Sequence, residues 1–173
     1  LQQGKSPYLC TIVKAIGSSP RPVGSMLGCC GDQSIGTLSG GCVEDDLLEK
    51  LRTNKIDASV PQLMEYGVSA EENERLGLPC GGRLNILVQQ LSPGGADWII
   101  DGTTALRARQ SVARTTDLKT GVTTIRITED HVPLSLTGES LTQGLGPKMQ
   151  MLLVGAGQLA QVLAQLALAM DYE

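Results

Sequence analysis

The sequence has no phenylalanine, one tryptophan, three tyrosines and a single histidine. Without phenylalanine, the core must be filled by leucine, isoleucine, valine, alanine and methionine. Apolar residues make up 41% of the chain, enough for a packed core and too many for wholesale disorder. One histidine and no C-x-x-C pair leave no zinc-finger ligand set, and no metal ligands are expected. No run of about 18 apolar residues occurs, so neither a membrane-spanning helix nor a membrane partner is expected. Basic residues are outnumbered, 14 Lys+Arg against 18 Asp+Glu, for a net charge of −4. Nucleic-acid affinity rests on neutralising phosphates, so nucleic acid is excluded as the main partner. The opening Leu1–Lys5 does not read as a secretory signal. Five cysteines, an odd number, point to reduced thiols in a cytoplasm rather than to a disulfide framework.

Glycine is what the chain has in excess: 21 in 173 residues, about 12% against a usual ~7%. Glycine costs backbone entropy, so a surplus implies turns with unusual dihedrals or backbones approached closely. The periodicity predicts a buried strand over 9–16, a hairpin of 26–30 and 35–38 around Gly31-Asp32, and an amphipathic helix from Val43 to about Lys55. A strand over 61–67, a charged helix over 69–76 and an alternating strand over 83–91 follow. Next come a helix over 96–110 interrupted by Gly102 and a hairpin of 111–117 with 122–128. A linker is expected over 141–148, an apolar strand over 149–154, and a last helix running to Met170. The fold class expected is α/β: a mixed sheet flanked by helices over 1–92, a linking region over 93–148 packed on it, and over 149–173 the first βα unit of a truncated Rossmann-like domain.

Four glycine-bearing turns carry the chemistry. Gly17–Ser25 sets the hydroxyls of Ser18, Ser19 and Ser25 beside Arg21 between two prolines, a set suited to an oxyanion, since arginine forks two hydrogen bonds to a phosphate or carboxylate. Ser39-Gly40-Gly41-Cys42 enters a helix, where free amides favour anions and lower a thiol pKa. Cys42 is thus a candidate nucleophile or sulfur carrier, with Glu44 either an acid/base or a partner of the helix dipole. Cys80-Gly81-Gly82 mirrors that turn ahead of a strand, and Cys42 and Cys80 share a pocket if the fold joins the two turns. Gly155-x-Gly157-x-x-Ala160 between strand and helix is the dinucleotide-binding pattern. Each turn alone is also compatible with ordinary loop chemistry. Cys10 reads as core, Cys29 and Cys30 as neighbours on opposite faces, His131 as a solvated loop residue and Trp98 as packing.

Taken in order, GSSPRPVGSM at 17–26, SGGCVE at 39–44 and LPCGG at 78–82 resemble the XdhC/CoxI family of accessory proteins for xanthine dehydrogenase-like molybdenum enzymes. Residues 151–173 resemble the start of that family's Rossmann domain. The resemblance implies a maturation chaperone without turnover of its own. It would bind the molybdenum cofactor (molybdopterin), assist its sulfuration with a cysteine desulfurase and deliver it to a xanthine dehydrogenase-type apo-molybdoenzyme. It places Ser18, Ser19, Arg21, Ser25, Ser39, Gly40, Gly41, Cys42, Cys80, Gly81 and Gly82 in the cofactor region. Gly155, Gly157 and Ala160 would bind NAD(P) only in a chain with an intact Rossmann domain. The apolar last helix implies a homodimer that covers it. The alternatives are an NAD(P)-binding oxidoreductase and a persulfide carrier using Cys42 or Cys80.

Overall fold

A computed structural model describes residues 7–17, 19, 21–76, 82–92, 95–146, 151–170 and 172. Five strands, β1 (Pro7–Ile16), β2 (Met26–Cys30), β3 (Gln33–Gly36), β4 (Gln62–Tyr66) and β5 (Arg83–Gln90), form one sheet in the order β3-β2-β1-β5-β4. Four more, β6 (Ser111–Asp117), β7 (Thr123–Thr128), β8 (Ser135–Leu136) and β9 (Ser140–Leu145), form a second sheet in the order β7-β6-β9-β8. The helices are α1 (Cys42–Arg52), α2 (Ala70–Arg75), α3 (Asp97–Arg107) and α4 (Gln158–Ala169). The α/β class holds, but the pairing is antiparallel throughout both sheets, not mixed. The β2–β3 and β6–β7 hairpins, joined by short turns, can only pair that way.

The alternation of β1 and β5 explains the layering. Cys10 and Ile12 on β1, with Leu84, Ile86 and Val88 on β5, form one face and pack on Val43, Leu47 and Leu51 of α1. Val13 and Leu87 leave the opposite face and meet Leu141 of the second sheet. Val13 sits in a bulge, because Ile12 pairs with Ile86 and Lys14 already pairs with Asn85. The extra residue shifts the alternation so that Ala15, and not Lys14, rejoins the helix-side core. Asp46 on α1 pairs with Lys50 at 2.6 Å and with Arg75 of α2 at 3.0 Å, joining the two helices.

The seam between the sheets is partly polar. Gln89 donates to Gly121 O and Thr123 Oγ1 at 2.9 and 2.8 Å, and Gln143 donates to Gly24 O at 2.8 Å. Arg114 is buried there, with Nη2 donating to Thr11 Oγ1 at 2.8 Å and its guanidinium 5.6 Å from the Trp98 ring centre. Its Nε and Nη1 have no partner. Burial alone pulls its pKa down to about 10.

Three expectations are corrected. The linker expected over 141–148 is not one over 141–145: Leu141 to Leu145 belong to β9, paired to β6, and 147 and 148 lie outside the described residues. Gly144 there lies against the backbone of Val132, where any Cβ would meet Val132 O at 2.4 Å. Gly102 does not interrupt α3. It is buried within the helix, with Ile125 of β7 filling the space a side chain would take. The strand expected over 149–154 is absent from 151–154, which join no sheet and leave Leu152 and Val154 exposed. Residues 149 and 150 lie outside the described residues.

Burying an unpaired guanidinium costs several kcal/mol, so replacing Arg114 with an apolar side chain of similar length removes a cost as well as one hydrogen bond. Arg114→Met is expected to leave the urea unfolding free energy unchanged or raise it by up to about 3 kcal/mol. A loss above roughly 2 kcal/mol would mean that the contacts to Thr11 and Trp98 outweigh the desolvation.

Candidate functional site

The first sheet gathers its glycine turns at one end. β1 ends at Ile16, beside Arg83 at the start of β5, so Gly17–Ser25 leaves next to Gly82. That loop returns at Met26, where β2 begins, and β3 ends alongside at Gly36 before the turn that enters α1. β4 ends there too, at Tyr66, opposite Leu84. The Arg21 loop, the turn before Cys42 and Gly82 therefore all lie toward the Ile16 end, with β2 starting level with Thr11 and β1 and β5 running on beyond it. Ser18, Cys80 and Gly81 lie outside the described residues, so the shared pocket of Cys42 and Cys80 is not described.

The Arg21 loop is anchored by its backbone. Gly24 N donates to Ile12 O at 2.8 Å and Ile12 N donates to Ser25 O at 2.9 Å. Ser25 N donates to Pro22 O at 3.1 Å, closing the turn. Gly24 has φ +94°, a left-handed conformation that favours glycine. Ser19 donates its hydroxyl to Arg21 O at 2.7 Å, and the Arg21 side chain is exposed.

The Cys42 turn is organised by Glu44. Its Oε1 accepts from Thr37 Oγ1, Leu38 N, Ser39 N and Gly40 N at 2.6, 2.8, 2.7 and 2.6 Å. Its Oε2 accepts from Gly41 N at 3.1 Å and from Ser39 Oγ. A glutamate at the third helical position reaching back to the N-cap amide is half of a capping box, here extended over a whole turn. Burial raises the carboxyl pKa. The Ser39 and Thr37 hydroxyls and the Gly40 and Ser39 amides outweigh it and hold the group well below the usual carboxylate range. Glu44 is thus a carboxylate tethered by the turn it closes. It also fills the cradle of amides expected to receive an external anion. Gly40 has φ +84°, which the turn requires, while Gly41 is extended and has open space where a side chain would stand. Cys42 is exposed beside that space.

α2 repeats the device at the same end. Glu72 Oε2 accepts from Gly67 N and Val68 N at 3.0 Å each, and Glu72 N donates to Ser69 Oγ at 3.1 Å. Gly67, with φ +84°, lies against Gly82 O, which a Cβ would approach to 2.1 Å. Thr37 and Glu72 were not singled out from the sequence. The Ser69-x-x-Glu72 spacing is the signal that marks the second cap.

The dinucleotide pattern is half present. Gly157 caps α4, but residues 151–154 ahead of it form no strand, and Gly155 and Gly157 have open space around them. Among the described residues no group of three His, Cys, Asp or Glu side chains could hold a metal ion. No helix among them is long and apolar enough to cross a membrane.

The fold and this end define an α/β protein whose loop-borne arginine and thiol flank one end of an antiparallel sheet. Residues 1–67 match the model of the XdhC and CoxI family, so the likeness of the motifs at 17–26 and 39–44 is shown over that stretch. The whole chain is similar in fold to the crystal structure of a xanthine dehydrogenase from Bacillus halodurans, with a TM-score of 0.67 and 21% identity. The match covers 99% of this chain and 57% of that one, so this chain spans little more than half its length. No curated protein matches the sequence.

Glu44 has a folded pKa below its unfolded value, so its contribution to stability is full above the ordinary glutamate value of 4.5 and is lost as pH falls through the folded value. Glu44→Gln is expected to cost about 2 kcal/mol at pH 7, the scale of hydrogen bonds to a charged group. The variant should also lose less stability than the wild type between pH 5 and roughly pH 3. Urea titrations of both proteins across that range check the prediction.

Proposed function

We propose that this chain serves the maturation of a xanthine dehydrogenase-type molybdoenzyme by binding the molybdenum cofactor and delivering it to the apo-enzyme. The observation that supports this most is that the Arg21 loop and the Cys42 turn leave the first sheet toward the same end, both within the stretch matching the XdhC and CoxI family. The residues there suit the cofactor in part. Arg21 and Cys42 are exposed, and the space over Gly40 and Gly41 is open to a bulky ligand. The amides of residues 38–41 are committed to Glu44, so holding the cofactor's phosphate falls to the Arg21 guanidinium, with Ser19 and Ser25 beside it.

In this reading Arg21 orients the anionic end and Cys42 stands against the rest of the ligand. Glu44 keeps the turn closed so that Cys42 is presented at a fixed place. The bound cofactor supplies the molybdenum chemistry of the client enzyme. A cytoplasmic cysteine desulfurase is the sulfur source, and the exposed apolar side chains of α4 are the motive for a homodimer. A second reading, a persulfide carrier, is favoured by the exposure of Cys42 at the head of α1. The NAD(P) reading has the least support, because residues 151–154 form no strand ahead of α4.

Co-purification with molybdopterin, quantified by pterin fluorescence, tests the proposal. Wild type is expected to retain cofactor. Arg21→Ala and Cys42→Ala are each expected to weaken retention roughly tenfold, equivalent to ~1.4 kcal/mol. Equal retention by all three proteins, or none by wild type, counts against it. Incubation with a cysteine desulfurase separates the second reading: an adduct of about one sulfur atom on Cys42, by mass spectrometry, supports persulfide carriage.

A further inference from the structure

The opposite end of the first sheet holds a cavity of about 320 Å³ lined by Tyr8, Cys29, Gly31, Asp32, Leu48, Leu51, Arg52 and Asn54. Its volume lies at the lower edge of small-molecule sites, which run from ~300 Å³ upward. Leu48 and Leu51 give it an apolar wall. Arg52, half-exposed, and Asp32 stand 3.5 Å apart across its polar side. Cys29 is 7% exposed and faces this space. Behind it stands Cys10: Tyr8 pairs with Cys29 and Cys10 with Leu27, which sets the two cysteines diagonally on one face of the β1–β2 pair.

We propose that Cys29 is a covalent modification site for small uncharged electrophiles that enter this cavity, with Cys10 and Arg52 as the residues that hold its thiol ready to react. The thiolate is the reactive form of cysteine. The thiol of Cys10 hydrogen-bonds Cys29 and lowers its pKa against the effect of burial, assisted by the Tyr8 backbone and the positive charge of Arg52. The same hydrogen bond, with burial, pushes Cys10 up. Of the two thiols, Cys29 is the one that faces the cavity, so it is the one an electrophile there can reach. The titratable and charged groups around Cys29 are Tyr8 and Cys10 from β1, Asp32 from the β2–β3 turn and Arg52 from α1. With iodoacetamide the step is a displacement. The Cys29 sulfur, its proton released to solvent, forms a bond to the methylene carbon as the carbon–iodine bond breaks and iodide leaves. Neither the cavity nor Cys29 belongs to the end of the sheet that carries Arg21 and Cys42, so the proposal stands apart from the cofactor reading.

Iodoacetamide alkylation of the native protein at pH 7, followed site by site by peptide mass spectrometry with fragment ions separating Cys29 from Cys30, tests it. Cys29 is expected to be alkylated in the folded protein while Cys10 is not. Arg52→Gln, a half-exposed position, is expected to slow Cys29 roughly two- to fivefold, and added salt to slow the wild type toward the variant's rate. Cys10→Ala is expected to slow Cys29 further, with Cys10→Ser restoring part of the rate. Should Cys10→Ala fail to fold, the Arg52→Gln comparison stands alone. Labelling of Cys29 only under denaturant and together with Cys10, or an Arg52→Gln rate equal to the wild type's, overturns the proposal.

Discussion

The structure depends on two adjacent strands that are buried on both faces. β1 and β5 present Cys10, Ile12, Ile86 and Val88 to α1, and Val13 and Leu87 to the second sheet. A strand pair covered on one side only would expose a row of apolar side chains to water, so both coverings are required. The bulge at Val13 makes both coverings possible in one strand, since it turns Lys14 away from the helix side just where β1 leaves the core.

The same pairing separates the molecule into two chemical ends. Antiparallel neighbours turn the end of β1, the starts of β2 and β5 and the ends of β3 and β4 toward the same end of the sheet. The loops there are polar and glycine-bearing, and they are tied down by carboxylates from within the chain. Glu44 and Glu72 each close a turn of free amides ahead of their own helix. Charge-assisted hydrogen bonds of this kind are stronger than neutral ones, so these turns are preset before any ligand arrives. The other end holds the Cys29 cavity, where the last turn of α1 brings Arg52 toward a thiol pair between the first two strands.

Much of the element order was legible in the sequence. The hairpin around Gly31-Asp32, the helix after Cys42 and the strand after Gly82 follow from local periodicity and turn residues. The misreadings share one physical cause. Gly102, Gly144 and the polar alternation of Ser140–Leu145 look like loop signals because their reason lies in a neighbour: Ile125 over Gly102, Val132 over Gly144, and β6 beside β9. The apolar run before Gly155 reads as a strand, but a strand needs a partner to take its backbone hydrogen bonds, and 151–154 have none. At the candidate site, the sequence picked out Arg21, the Ser39–Cys42 turn and Glu44. It did not reveal that Glu44 fills the amide cradle, since Gly41-x-x-Glu44 fits dipole complementarity and capping equally well.

By itself the sequence determined the α/β class, the aliphatic core, the positions of the glycine turns and the likeness to the XdhC and CoxI family, because each is written in residues close together along the chain. Only the tertiary structure decided that the Arg21 loop and the turn before Cys42 leave the first sheet toward the same end, that Cys29 and not Cys30 faces a cavity with Cys10 behind it, and that Arg114 is buried between the sheets. These are contacts between residues far apart in sequence. Strand order and register set them, and no local pattern carries that information.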